Sequence, residues 1–209
     1  MLFRLNNSLV FPDPRLAGED GLLAIGGDLS VERLTMAYQN GIFPWYSEGE
    51  PILWYSPHER FVIVREEIHI SRSMQRLIHS GKYQMTWDKD FAAVIKQCAK
   101  VKRMDQNGTW ITKDMIDAYI TLHKIGTAHS IEVWQENKLV GGMYGVVLGE
   151  LFCGESMFSL ASSASKMALI FLFQDTPYKL IDCQFHTSHL ESMGGRFISR
   201  EEYDLFLKS

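Results

Sequence analysis

Glu155, Asp182 and Gln184 are the side chains of this sequence whose types and settings point to chemistry. Glu155 stands as a single carboxylate near the end of a glycine-punctuated apolar run, Gly141 to Ser159 (GGMYGVVLGELFCGESMFS). Glycine inside a strand weakens it and marks a bulge or a close backbone approach. A ligand held against backbone with one acid beside it fits this layout, and so does an ordinary core hairpin with exposed turns. Asp182 and Gln184 alternate along the apolar stretch KLIDCQF and therefore share one face of a predicted strand. A charge is rarely held in a strand core without a partner. Asp182 is thus either a satisfied core acid or part of a polar site aimed at an amine or hydroxyl.

Other chemistries lack their residues. His186 and His189 sit at i, i+3, but no acid or cysteine stands at ligand spacing and no HExxH occurs, so no metal site is expected. GxGxxG, GxxxxGK[ST] and GxSxG are absent, which removes dinucleotide, P-loop and nucleophile-elbow readings. Cys98, Cys153 and Cys183 show no CxxC spacing and read as reduced thiols of a cytosolic protein. The N-terminus lacks the apolar core of a signal peptide, and the longest apolar run, Met167 to Phe173, is far too short to span a membrane.

The elements that must position these groups are legible from punctuation. The central run reads as a hairpin with a turn at Gly149-Glu150, which puts Tyr144, Val146 and Leu148 on one face and Met143, Gly145 and Val147 on the other. Ser30 caps a helix that ends at Gly41, and Ser71 caps a basic helix stopped by Gly81. Asp88 or Asp90 opens a third helix, and Lys113 to Ile125 forms a fourth, ended by Gly126. Strands are expected at 61–64, 130–134 and 180–185, and a helix at about 163–174. Ser188/Glu191 and Ser199/Glu202 have capping-box spacing at two closing helices. A change of style near residue 60 is the predicted boundary between a small domain (1–60) and a larger one (61–209).

The 209 residues carry a net charge of −4, which argues against generic nucleic-acid binding. Its distribution is uneven: Arg60 to Met104 holds ten Lys/Arg against four Asp/Glu, a balance of +6, which leaves −10 on the remainder. Such a segment makes either a basic patch that steers a polyanion or two solvated helices. Trp45 and Trp110 lie in Gly/Pro/Thr loop contexts, where exposed rings stack bases, although core packing accounts for such residues equally.

Ten blocks carry a family resemblance: FPDP at Phe11, GLLAIGGDLS at Gly21, AYQNGIFPWY at Ala37, LWYSP at Leu53, GTWIT at Gly108, AHSIEVW at Ala128, LVGGMYG at Leu139, GESMFS at Gly154, ASK at Ala164 and LIDCQ at Leu180. In this order, over essentially the whole chain, they resemble the leucyl/phenylalanyl-tRNA–protein transferases. Tyr55 stands where that family usually has a second Trp, His58 where Asp is common, and Ser163 where Asn precedes Ala-Ser-Lys.

The resemblance implies an α+β fold, with a small N-terminal domain and a C-terminal acetyltransferase-like (GNAT) mixed-sheet domain. It implies a cytoplasmic aminoacyltransferase that moves Leu or Phe, less readily Met, from aminoacyl-tRNA to acceptor proteins with N-terminal Arg or Lys, marking them for N-degron degradation. No cofactor, metal or membrane is implied. By position, Tyr38, Trp45 and Trp110 would hold the terminal adenosine, and Met143, Phe152, Met157, Leu169 and Ile181 would line the amino-acid pocket. Glu155, Asp182 and Gln184 would form the polar centre. Arg72, Arg76 and Lys82, with Lys96, Lys100, Lys102 and Arg103 on charge alone, are candidates for the tRNA backbone. Strand alternation turns Cys183 away from Asp182 and Gln184, and Cys153 away from Phe152, so neither thiol is expected to act as a nucleophile. An acetyl-CoA-dependent acetyltransferase would want an R/Q-x-x-G-x-G/A motif after the hairpin, where Glu155 to Ser159 offers none. A non-catalytic tRNA-binding module leaves the polar cluster unexplained.

Overall fold

The computed structural model describes residues 2–101 and 110–208; Lys102 and Arg103 lie outside the described residues. The first part of the chain forms β1 (Phe3–Leu5), β2 (Leu22–Gly26), α1 (Val31–Gln39), β3 (Phe43–Pro44), β4 (Leu53–Tyr55) and β5 (Glu59–Val64). The middle forms α2 (Arg72–His79), β6 (Gln84–Trp87), α3 (Phe91–Lys100), α4 (Lys113–Lys124), β7 (Ala128–Gln135), β8 (Lys138–Leu148) and β9 (Leu151–Ser159). The last part forms α5 (Ala164–Asp175), β10 (Leu180–Asp182), α6 (Ser188–Glu191), β11 (Arg196–Ser199) and α7 (Arg200–Leu207).

Helix starts follow their caps. Side-chain oxygens of Ser30, Ser71, Asp90 and Thr112 each accept from a first-turn N–H, and Ser199 with Glu202 closes a full capping box. At α6 the cap is Thr187, one residue before the expected Ser188. Ser163 precedes α5 at φ 63° with no side-chain cap bond, a left-handed position of the kind that favours Asn.

The strands form an α+β arrangement of two sheets. One has the order β1-β2-β4-β3; the other, seven-stranded and mixed, runs β11-β5-β10-β9-β8-β7-β6, with β9 and β10 parallel. The short strands β1, β3, β4, β6 and β11 carry too little pattern to be read from sequence. On one face of the large sheet, the small sheet, α1, α3, α4 and α7 close a core around Trp54, Tyr119, Tyr144 and Phe158. On the other, α5, almost wholly apolar and buried, packs with residues of α2 and the α6 segment.

This layering divides the basic segment Arg60 to Met104 rather than gathering its described residues into one patch. Arg60 is buried, and Arg65 donates to the carbonyls of Phe173, Thr176 and Tyr178 at the end of α5. The exposed remainder among the described residues is split: Arg72, Arg76 and Lys82 belong to the α2 side, Lys89 lies over the Trp134 ring, and Lys96 and Lys100 ride on α3 across the sheet.

Candidate active site

The site is assembled where β9 and β10 run parallel and their ends diverge. Strand β9 carries a bulge there: Tyr144 pairs with Ser156 and the next residue, Gly145, pairs with Gly154, so Glu155 is the extra residue. A bulge re-aims a side chain and reverses the alternation beyond it. Met157 consequently shares a face with Met143, its cross-strand partner, and Phe158 returns to the opposite core. Gly145 must be glycine here, because a Cβ would collide with the Cys153 carbonyl and lie 2.5 Å from the Phe152 ring.

The second irregularity follows β10. The strand ends at Asp182, and Gln184 takes a left-handed conformation at φ 58°. The expected strand to residue 185, with Asp182 and Gln184 sharing a face by alternation, is therefore corrected. The two are joined instead by a tight turn in which the Gln184 N–H donates to Asp182 Oδ1 at 2.8 Å. The Gln184 side-chain amide reaches the other way and donates to Glu155 Oε1 at 3.0 Å.

A cavity of ≈ 440 Å³ opens at this junction. Of the sequence-selected residues, Trp45, Trp110, Met143, Glu155, Met157, Leu169, Ile181 and Gln184 line it. Sequence reasoning missed Phe43, Ser156, Cys183, Phe185, Thr187, His189 and Leu190, which also line it. Phe43, Trp45, Tyr55 and Phe185 form an aromatic cluster, with the Trp45 and Phe185 ring centroids 5.1 Å apart. Trp110, expected to be exposed, is only 7% accessible and presents what remains to the cavity.

Three expectations need correction. Tyr38 does not line the cavity: it is buried behind it, hydroxyl to hydroxyl with Tyr119, which in turn donates to Glu155 Oε2 at 3.1 Å. Phe152 is fully buried among Trp87 and Tyr178, on the far side of the bulge from the cavity. Cys183 does not face away, because the turn after Asp182 breaks alternation and sets it in the cavity wall.

Asp182 is also absent from the cavity wall. Its carboxylate is 1% exposed; Oδ2 takes the Arg60 guanidinium at 3.2 Å and the Tyr203 hydroxyl at 2.7 Å, while Oδ1 holds the Gln184 backbone. Arg60 was the residue to find: an arginine opening the apolar run ERFVIV needs a buried acid. Tyr119 had a comparable signal, a hydroxyl on the stripe Met115, Tyr119, Leu122 of α4.

The electrostatics follow from burial. Glu155 is pushed up to about 7, first by burial and then by the charge of Asp182, against the hydrogen bonds of Tyr38, Tyr119 and Gln184, which favour the carboxylate. Burial, reinforced by the Glu155 charge, holds Tyr38 and Tyr119 well above the usual phenol range, so both remain donors. Burial and Asp182 push both Cys153 and Cys183 well above the usual thiol range. A thiol that resists ionisation is a poor nucleophile. The arrangement offers an apolar pocket, an aromatic mouth and, in its wall, one carboxylate, 6% exposed and flanked by an amide.

Residues 62–208 match the family model for leucyl/phenylalanyl-tRNA protein transferase, and residues 27–58 match that of its N-terminal domain. A leucyl/phenylalanyl-tRNA–protein transferase of Flavobacterium johnsoniae is 52% identical over 211 residues, covering 100% of both chains. One from Syntrophus aciditrophicus is 54% identical over 207 residues, covering 98% of this chain and 87% of its own. Among solved structures, a GCN5-related N-acetyltransferase from Kribbella flavida aligns over 78% of this chain and 58% of its own, with a TM-score of 0.39 and 7% identity.

Proposed function

The chain belongs to the leucyl/phenylalanyl-tRNA protein transferase family, and from that premise we propose that it transfers Leu or Phe, and less readily Met, from aminoacyl-tRNA to the N-terminal Arg or Lys of acceptor proteins. It is an aminoacyltransferase with an aminoacyl-tRNA donor and a protein acceptor. The product would be marked for N-degron degradation, and the site of action would be the cytoplasm. The division near residue 60, into a small N-terminal domain and a catalytic domain, is part of the same reading; one sheet ends at Tyr55 and a strand of the other begins at Glu59.

The observation that carries the substrate assignment is the cavity itself. Its wall is largely apolar and includes Met143, Met157, Leu169 and Ile181, with Trp45 and Trp110 at the aromatic side and a single acid, Glu155. Methionine side chains adapt their shape, and one methylene is worth only about 1–3 kcal/mol of discrimination. Such a pocket suits Leu, Phe and Met with graded rates. Trp45 and Trp110, both in the cavity wall, would stack the terminal adenosine, and Phe43 and Phe185 line the same cavity.

The reaction is direct attack of the acceptor α-amine on the aminoacyl ester. Holding the two reactants together supplies much of the rate, and the ester already carries the driving energy. The thiols of Cys153 and Cys183, both pushed well above the usual thiol range, are poor nucleophiles, which favours direct attack over an acyl-enzyme. Arg72, Arg76, Lys82, Lys96 and Lys100 are the candidates on the described surface for the tRNA backbone.

The test is a transfer assay with labelled Leu-tRNA or labelled acetyl-CoA, each offered to an Arg-initiated and an Ala-initiated peptide. Label passing from Leu-tRNA to the Arg peptide alone supports the reading; label passing from acetyl-CoA overturns it. A Cys153→Ser/Cys183→Ser double variant should keep most activity, and a Leu-modified enzyme recovered without acceptor would contradict direct attack.

A further inference from the structure

We infer that Glu155, tuned by the Tyr38–Tyr119 hydroxyl pair, is the group that takes the proton from the acceptor amine, and that Asp182 is a positioning residue. This rests on the aminoacyl-transfer reading above and concerns which carboxylate does the proton chemistry.

Two carboxylates lie close to the junction of β9 and β10, and the structure separates them by access. Glu155 lines the cavity; Asp182 does not. A carboxylate has about four lone-pair positions. On Glu155, Tyr119 donates at Oε2 and Gln184 at Oε1, and the Tyr38 hydroxyl is a third donor, which leaves one position for a ligand at the cavity. On Asp182, Oδ2 is shared by Arg60 and Tyr203, and Oδ1 is held by the Gln184 backbone, with the whole group sealed beneath the turn. A base must come within hydrogen-bond reach of the proton it removes, and of the two carboxylates Glu155 alone borders the cavity. Asp182 instead fixes the turn that aims the Gln184 amide at Glu155.

Its charge environment comes from every surrounding element. Tyr38 of α1 and Tyr119 of α4 present their hydroxyls, while Asp182 of β10 faces it with Arg60 of β5, Tyr203 of α7 and Cys153 of β9 around it. Cys183 and His189 share the cavity wall, and burial with Lys166 keeps the His189 pKa low. The opposed effects of burial and of the Tyr38, Tyr119 and Gln184 hydrogen bonds leave Glu155 at about 7, where a general base is most effective. In the step, the amine nitrogen forms its bond to the ester carbonyl carbon and the carbon–oxygen bond to the ribose breaks. The proton leaving nitrogen goes to Glu155, which passes it to the ribose oxygen as that departs as a hydroxyl.

The test is kcat/KM for an Arg-initiated peptide against pH, with Leu-tRNA as donor. The wild type should lose two protons along its acidic limb, one from the acceptor amine and one from Glu155. Glu155→Gln should keep a one-proton limb and fall by about 10²-fold or more at neutral to alkaline pH. Tyr119→Phe and Tyr38→Phe should move the enzyme's midpoint upward while leaving that of the amine, since each removes a hydrogen bond that favours the carboxylate. Asp182→Asn should lower the rate but keep the two-proton limb. A two-proton limb surviving in Glu155→Gln, or reduced to one in Asp182→Asn, overturns the assignment. In the absence of substrate, an infrared titration of the folded protein should show a carboxyl group that ionises near neutrality and vanishes in Glu155→Gln; its absence also overturns the assignment. A wild type that transfers nothing to any acceptor overturns the reaction itself, whereas transfer with Glu155→Gln unchanged overturns the proton role alone.

Discussion

Glu155 is held in its carboxylate form at a cost in stability. Its folded pKa of about 7 lies above its ordinary value of 4.5. The linkage therefore runs one way: the stability it contributes is complete below about pH 4.5 and is lost as pH rises through about 7, a difference of roughly 3 kcal/mol at most. Glu155→Gln, which cannot ionise, should accordingly raise stability at about pH 8 by about 1–3 kcal/mol and change little at about pH 5. Denaturant titrations of both proteins at the two pH values check this; equal gains at both would mean that burial of charge is not the cause. At the aromatic side of the same cavity, Trp110→Ala should weaken aminoacyl-tRNA and a minimal aminoacyl-adenosine alike, by about 1–3 kcal/mol in KM terms. Unchanged KM for both substrates would remove the stacking role.

At the scale of elements, the site depends on two departures from regular strand geometry, the bulge in β9 and the turn after β10. The turn is anchored from β5 and α7, through Arg60 and Tyr203 on Asp182. Arg60 is 2% exposed, packs its guanidinium 4.5 Å from the Tyr203 ring centroid, and also donates to the Gly41 carbonyl beyond α1. Arg60→Met should therefore destabilise by about 3–5 kcal/mol, because it leaves a buried carboxylate unpaired. Adding Asp182→Asn should recover part of that loss, a coupling that a double-mutant cycle in denaturant would measure. Independent, additive losses would show that the two residues do not act as a pair.

At the scale of the molecule, α2 and α3 put their exposed basic residues on opposite sides of the large sheet. Phosphate contacts release counterions, so binding of full tRNA should weaken steeply with salt, by about 0.9 in log K per log salt unit for each duplex phosphate engaged. Aminoacyl-adenosine, with no such phosphates, should respond weakly. Substituting Arg72 and Arg76 by Glu should flatten the tRNA slope if the α2 side carries the backbone, and substituting Lys96 and Lys100 should do so if the α3 side does. Equal slopes for tRNA and the analogue would remove both.

Sequence alone determined what depends on near neighbours. The hairpin with its turn at Gly149-Glu150, the caps at Ser30, Ser71 and Ser199, and the glycine stops are local events, decided within a few residues by hydrogen bonding and allowed dihedrals. The types of the site residues were legible for the same reason: an acid in an apolar run announces itself wherever it folds. What they touch was decided by the tertiary structure. Alternation placed Asp182 with Gln184 and turned Cys183 outward, but alternation holds only while a strand continues, and β10 stops at Asp182. The glycines around Glu155 signal a bulge or a close approach but do not say which residue is bulged; that follows from the pairing of β8 with β9 on one side and β10 on the other. The partners that distinguish an acid sealed beneath the turn from one in the cavity wall, Arg60 and Tyr203 for Asp182, Tyr119 and Gln184 for Glu155, come from distant elements brought together by core packing. Access and proton affinity are properties of that packing, so they exist only once the sheet has closed.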